Sequence, residues 1–320
     1  MLIKKVLNYF KFPVDILVSI LIIPSSLVMI FFRKIGGHKL KLSKSILKKF
    51  GVFPITTNYY EPQFNFDKLK KNLNDKRNLP GINFNINNQI KNLENLNFKK
   101  ELIDLNLKGN SPNYNFNISN GFFEAGDAEI YYQMIRYFKP KKIIEIGSGH
   151  SSLIAKEAIH NNKLKDNFVS ELICIEPYEN NWLEKNDIRV IRKKIEEINI
   201  SLFTELTAND ILFIDSSHVI RPQGDILKIF LEILPKLNSG VIIHIHDIFS
   251  PRDYLEKWLK TENRFFNEQY LLEGILNNSS RYKVICSLNF LKHDFCNELK
   301  KFCPYLNDKS EPSSFYIEVN

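Results

Sequence analysis

Three of this 320-residue chain's polar stretches, and one isolated acid, have residue types and spacing that suit ligand chemistry. The first stretch is Gly147-Ser148-Gly149. It follows an apolar run, Ile143–Ile146, that carries one acid, Glu145, and it precedes Ser151 and Ser152, where a helix is predicted to start. Glycines let the backbone come close to a ligand, and a helix N-terminus offers unpaired N–H groups with partial positive charge. The acid is Glu176, 27 residues after Gly149, at the end of the predicted strand Leu172–Ile175. A carboxylate there can accept hydrogen bonds from both hydroxyls of a ribose. The other two stretches are Asp215-Ser216-Ser217-His218, after Ile211–Ile214, and His246-Asp247, at the end of Val241–His246. One polar strand end is an ordinary capped loop. Four successive ones point to a shared site.

The elements that must position these residues alternate between the two periods. Asp127–Phe138 carries Ile130, Tyr131, Met134, Ile135 and Phe138 on one helical face, with Asp127 as a cap and Pro140 as the stop. Short apolar strands follow at Ile143–Ile146, Leu172–Ile175, Ile188–Ile191, Ile211–Ile214, Val241–His246, Tyr282–Cys286 and Phe315–Val319. Helical patterns separate them at Ser152–Ile159, Ile226–Leu234, Asp253–Leu259 and Glu268–Leu276. This predicts an α/β protein with a doubly wound, mostly parallel seven-stranded sheet, its last two strands pairing antiparallel at one edge. Ligands bind such sheets outside the carboxyl ends of the strands, where all four features fall.

Charge is unevenly spread. The net charge is +8, yet residues 1–50 hold ten Lys/Arg against one acid, Asp15, leaving 34 basic and 35 acidic residues elsewhere. The excess flanks Ile16–Phe32, an uncharged run with Pro24-Ser25-Ser26 at its middle. That arrangement fits an anionic membrane surface and argues against nucleic acid. The run is expected either to span as a short helix kinked at Pro24 or to bend there and return. The basic flanks favour a catalytic body on the cytoplasmic side of the membrane.

The expected organisation is a membrane-associated segment (1–50), a linker and small helical lead-in (51–118) and the main domain (119–320). Within the lead-in, Gln89–Leu102 has helical spacing and Leu79-Pro80-Gly81 reads as a turn. Cys174, Cys286, Cys296 and Cys303 form no metal-type pair; Cys296 and Cys303 are spaced to allow a disulfide, but the set reads as reduced.

IEIGSGHSS, FIDSSHV, HIHDIFSPRDY and FNEQYLLEGIL, with LPGI and GDAE upstream, resemble the class I S-adenosylmethionine-dependent methyltransferases, and among them the bacterial methyltransferase domain 24 group. The resemblance covers about residues 75–320 and implies a Rossmann-like fold and S-adenosylmethionine as cofactor. By position, Gly147, Ser148 and Gly149 would line its methionine portion, with Glu145 anchoring that region. Glu176 would hold the ribose, and Lys194 and Ile195 would flank the adenine. Ser152 stands where a dinucleotide enzyme usually has a third glycine, which counts against the alternative of a nicotinamide-dependent oxidoreductase.

Methyl transfer needs an aligned nucleophile and, for a hydroxyl, a proton acceptor. His218 and His246 are the candidate bases, with Asp215 and Asp247 beside them. Asp215, His246 and Asp247 also have the donor types for a divalent cation, but His246-Asp247 replaces the paired carboxylate or amide ligands of metal-dependent relatives, so a metal-free site is favoured. His244, inside its strand, reads as a core residue. Tyr254, Glu268, Gln269 and Tyr270 fall in segments that would close over the acceptor. The expected acceptor is a saccharide or lipid-linked saccharide hydroxyl. A membrane-tethered scaffold without activity is the non-enzymatic alternative.

Overall fold

Alternation along seven strands decides which residues meet which layer. The strands are β1 (Lys142–Ile146), β2 (Glu171–Ile175), β3 (Arg189–Ile191), β4 (Ile211–Ile214), β5 (Ile242–Ile245), β6 (Tyr282–Ser287) and β7 (Phe315–Val319). They form one sheet in the order β3-β2-β1-β4-β5-β7-β6. All pairs are parallel except β5/β7 and β7/β6, which are antiparallel. The structure is a computed structural model and describes residues 11–36, 39–52, 54 and 69–320, apart from Glu179, Asp187 and Asn263. Its contacts divide the chain into two units, 1–70 and 71–320.

In the larger unit one sheet face carries Ile143, Leu172, Cys174, Ile211, Phe213, Ile242 and Tyr316. Helices α5 (Asp127–Phe138) and α6 (His150–Asp166) cover it. The opposite face carries Ile144, Ile146, Ile173, Ile175, Leu212, Ile214, Ile243, Ile245 and Ile317. It is covered by Asp225–Leu227 (α8), which continues as a π-helix over Lys228–Ile233, and by α9 (Glu268–Leu276). Each fully buried Ile or Phe in these layers is worth roughly 1.5–3 kcal/mol over an exposed one. The sheet is therefore held from both sides, and its strand ends are fixed relative to one another.

The lead-in belongs to this core. Helices α3 (Ile86–Asn95) and α4 (Lys99–Asp104) supply Leu93 and Leu102 to the layer under α5, with Leu96, Leu107 and Phe116 from the connecting segments. The boundary expected at 118/119 is thus absent, and 71–320 is one unit. The single helix expected over Gln89–Leu102 is two, because the chain leaves helical geometry at Leu96 within an asparagine-rich stretch. Arg77 anchors the start of the lead-in. Its guanidinium donates to both Glu273 carboxylate oxygens at 2.7 and 2.5 Å and to the Arg252 carbonyl at 2.9 Å.

Two further expectations change. Asp253–Leu259 is not a helix; only a five-residue π-helix, Lys257–Thr261, forms there. Asp253 N–H is taken by the Leu73 carbonyl at 3.1 Å, which holds the segment against the lead-in instead. Asp127 does not cap its own helix: Glu129 accepts from Gly126 N–H at 2.9 Å, which frees the Asp127 carboxylate for other partners. The helices α7 (Ser201–Thr204), α10 (Leu288–Asp294) and α11 (Cys296–Lys300) complete the unit, and all four cysteines are free thiols.

In the smaller unit, α1 (Lys11–Ile35) is one 25-residue helix that runs through Pro24. It is long and apolar enough to cross a membrane, with a mean hydropathy of 2.4. The hairpin expected as one alternative at Pro24 is absent. Proline costs the helix a single hydrogen bond there, and the next residue, Ser25, donates to the Leu21 carbonyl at 3.0 Å. A second helix, α2, spans Lys41–Lys49. The linker expected through about Lys70 lies mostly outside the described residues.

Candidate active site

Gly147 sets the geometry of the site. Its φ is +78°, and a Cβ built on it would lie 1.6 Å from the Asp215 carbonyl oxygen, so only glycine fits. Its N–H donates to the Ile175 carbonyl at 3.0 Å, while Asp215 N–H donates to the Ile146 carbonyl at 2.8 Å. The ends of β1, β2 and β4 are thereby stitched together before their loops diverge.

Beyond that seam lies a cavity of about 470 Å³. Gly147, Ser148, Gly149, Glu176, Lys194, Ile195 and Asp215 all line it. Glu176 spans the gap between two loops: its carboxylate accepts Ser148 N–H at 3.3 Å and Tyr178 N–H at 3.0 Å. Asn180 Nδ2 donates to the Ser148 carbonyl at 2.8 Å and fixes the far side of the cradle.

Glu145 is placed differently. Alternation along β1 turns it to the α5/α6 face, and it does not line the cavity. It accepts from Tyr131 Oη at 3.0 Å and from the hydroxyl of Ser152 in the first turn of α6, with Cys174 Sγ at 3.6 Å. Burial pushes its pKa up to about 7 against the hydrogen bonds from Ser152 and Tyr131. It supports the cradle from beneath, by pinning the start of α6.

The second half of the site is an acid–imidazole cluster. His218 Nδ1 lies 2.8 Å from Glu268 Oε2, and its Nε2 lies 3.2 Å from Asp215 Oδ1 and 3.5 Å from Asp247 Oδ2. His246 Nδ1 faces Asp247 Oδ1 at 3.4 Å and Asp215 Oδ2 at 3.6 Å. Its Nε2 faces Ser313 Oγ at 3.3 Å and Asp127 Oδ2 at 3.6 Å. Asp127 is held by the N–H groups of Ser313 and Ser314 at 2.9 and 2.7 Å. His218 and Asp247 both have positive φ, 58° and 61°, which aims their side chains inward from the loops.

Electrostatics follow from this packing. Burial alone would lower the His218 pKa, but hydrogen bonds to Asp215 and Glu268 outweigh it and hold the imidazole well above its usual value. His246 is also raised: burial is outweighed by the charges of Asp247 and Asp215. For Asp215 burial acts upward, yet the neighbouring His246 and His218 keep it below the usual carboxylate range. Burial raises Glu268 despite its His218 partner. The two histidines therefore do not keep the ordinary pKa that the sequence alone suggests. His244 behaves as a core residue: it is fully buried, stacked on Tyr316 at 4.0 Å, bonded to Ser314 Oγ at 2.8 Å, and pushed well down by burial.

Asp215, His246 and Asp247 can each present one ligand atom within 4.8 Å of the others, a grouping that could hold a cation. Of the residues expected to close over the acceptor, Tyr254 and Gln269 are interior. Gln269 N–H donates to Tyr254 Oη at 3.0 Å, and Gln269 Oε1 accepts from Phe249 N–H at 2.6 Å, which braces the loop after β5. Tyr270 donates to Asp253 at 3.0 Å. Sequence reasoning missed Asp127, Ser313 and Phe123 as site neighbours. Phe123 packs 5.1 Å from the His246 ring, and beside it Phe122 stacks on His150 at 5.7 Å, both on the cavity wall. The adjacent aromatics in GFFEAG were the available signal.

Residues 144–248 match the family model of a methyltransferase domain. An uncharacterised protein of Archaeoglobus fulgidus is 35% identical over 94 residues, 28% of this chain and 41% of that protein, so the match spans less than half of the relative. Similar folds include the O-methyltransferase TomG of Streptomyces achromogenes, involved in tomaymycin synthesis and solved with SAM. It is 12% identical over 72% of this chain and 89% of that one, with a TM-score of 0.38. The Bacillus cereus O-methyltransferase solved with SAH is 12% identical over 71% and 90%, with a TM-score of 0.35. The matched segment, with this sheet order, is a class I S-adenosylmethionine-dependent methyltransferase domain.

Proposed function

We propose that this protein is an S-adenosylmethionine-dependent O-methyltransferase whose acceptor is a saccharide or lipid-linked saccharide at the cytoplasmic face of a membrane. The observation that carries the reading is the double role of Asp215. It lines the cavity with Glu176 and the glycine turn, and its carboxylate touches both His218 and His246. One residue thus joins a nucleoside-sized cavity to a proton-handling cluster.

The donor set fits the cofactor. Glu176 would take the ribose hydroxyls, releasing Ser148 and Tyr178; the Gly147–Gly149 turn would meet the methionine end; Lys194 and Ile195 would flank the adenine. Bound S-adenosylmethionine supplies an electrophilic methyl on a sulfonium. The chain's own work is to exclude water, to orient the acceptor hydroxyl against Asp215, and to receive its proton at an imidazole nitrogen. The acidic neighbours hold both imidazoles above the ordinary histidine pKa, so the base form is favoured toward alkaline pH.

The grouping of Asp215, His246 and Asp247 favours a second reading, in which a divalent cation lowers the acceptor's pKa. Against it, His218 Nε2 already sits on Asp215 and Asp247. Comparing the membrane glycolipid pool with and without the gene by mass spectrometry tests the proposal. A species heavier by one methylene in the presence of the gene supports it, and identical pools contradict it.

A further inference from the structure

Helix α2 has a composition that the methyltransferase domain does not need. Its sequence is KLSKSILKK, preceded by Lys39-Leu40 and followed by Phe50. At 100° per residue, Leu42, Ile46, Leu47 and Phe50 fall on one side with Ser43 among them, and Lys41, Lys44, Lys48 and Ser45 fall on the other, with Lys49 at the border. Among the described residues most of the apolar side is open: Leu42 is 77% exposed, Ile46 50% and Phe50 77%, while Leu47 is half-buried. Between Asp15 and Glu61 the sequence contains no acid, so nothing nearby in the chain balances the lysines. Only five residues separate α2 from α1, the helix long enough to cross a membrane.

An apolar helix face opposite a face of lysines and one serine, with no acid among them, suits the boundary between acyl chains and anionic headgroups. There the apolar side enters the lipid and the lysines stay at the phosphate level, their stems extended along the surface. We propose that α2 is an interfacial helix that lies on an anionic lipid surface and holds the chain emerging from α1 against it. The inference rests on the membrane reading of α1 made above and adds a lipid preference that α1, with its uncharged centre, cannot supply. A tether of this kind would restrict the catalytic unit to the layer where a lipid-linked acceptor presents its headgroup.

The test uses the full-length protein with Cys296→Ser and one nitroxide label, at Ile46→Cys or at Lys44→Cys. The label is read by electron paramagnetic resonance for access to oxygen against a water-soluble nickel chelate. Vesicles are phosphatidylcholine with or without about one third phosphatidylglycerol. The label at position 46 should show a roughly tenfold higher oxygen-to-nickel ratio in the anionic vesicles than in the neutral ones, and the label at 44 should stay in water in both. Adding Lys41→Glu and Lys48→Glu should return the position-46 label to water. A position-46 label that stays aqueous while the protein floats with the vesicles overturns the α2 assignment and leaves α1 standing. Equal entry into neutral vesicles overturns the anionic preference. Failure of the protein to float with either vesicle overturns α2 together with the membrane reading of α1.

Discussion

The carbonyl oxygen of Asp215 fills the space that a Cβ on Gly147 would need, 1.6 Å from its position. The residue whose carboxylate touches both imidazoles is therefore the one that presses its backbone into the glycine turn. Cradle and cluster form a single mechanical unit, and a change at the turn should be felt at both.

Gly147→Ala should destabilise residues 71–320 by about 2–4 kcal/mol, from the clash and the positive φ together, and should remove S-adenosylmethionine binding. Gly149→Ala is the control. Its nearest neighbour is the flexible Asn180 amide at 3.1 Å, not a backbone carbonyl at 1.6 Å, so its Tm should drop by less. Equal losses in thermal melts would show that the contact with Asp215 is not decisive.

Glu176→Ala should weaken S-adenosylmethionine binding by on the order of 1.5–3 kcal/mol, the value of charge-assisted hydrogen bonds to the ribose. Titration calorimetry reads this directly. Unchanged affinity would remove Glu176 from the site.

The pH profile of turnover should carry the mark of the acid cluster. A base must lose its proton to act, and His218 and His246 are both held above their usual pKa. The rising limb of kcat against pH should lie well to the alkaline side of an ordinary histidine. Glu268→Gln removes one of the carboxylates holding His218 and should move that limb toward neutrality, whereas a merely structural role for Glu268 would lower the rate without moving it. His218→Ala or His246→Ala, whichever removes the proton acceptor, should reduce turnover by about a hundredfold or more, with cofactor affinity barely changed. Activity abolished by a chelator and restored by magnesium would select the cation reading instead.

Glu145 offers a stability test with a defined sign. Its folded pKa of about 7 stands above the unfolded value of 4.5. An acid raised on folding contributes stability in full below pH 4.5, and that contribution is lost as pH rises through about 7. Relative to Glu145→Gln, residues 71–320 should therefore lose on the order of 3 kcal/mol across that window in urea melts. A constant difference between the two proteins would show that Glu145 is ionised even when buried.

Most of the sheet was legible because its strands are short, apolar and bounded by polar turns; β4 and β7 coincide with their predicted ranges, and α5 does as well. The set of polar strand ends around the cavity was legible for a similar reason, since strand ends in such sheets converge whatever their loops do. What sequence could not show was long-range pairing. Glu145 looked like a cofactor ligand until the pleat turned it to the α5/α6 face. Asp127 looked like a helix cap, yet Glu129 takes that task and Asp127 faces His246 across a loop nearly 190 residues away in sequence, at Ser313. Glu268 reaches His218 from α9, 50 positions on, and no local pattern announces that contact.

The apolar N-terminal helix bears on localisation. Deleting residues 1–50 should leave a protein that stays in the supernatant without detergent and binds S-adenosylmethionine with unchanged affinity. It should act poorly on a membrane-held acceptor, because the tether no longer raises local concentration. Residues 51–320 remaining in the membrane fraction after a high-salt wash would contradict the assignment to α1 and α2.

The most direct test of the whole account is transfer of an isotopically labelled methyl group. Purified full-length protein is incubated with S-adenosylmethionine labelled at the methyl and with a lipid extract from the same cells, and label in the lipid fraction is measured by mass spectrometry. The account predicts label on a saccharide hydroxyl, formed with one equivalent of S-adenosylhomocysteine and reduced about a hundredfold by His218→Ala. Binding of the cofactor with no label in any lipid or saccharide would contradict it.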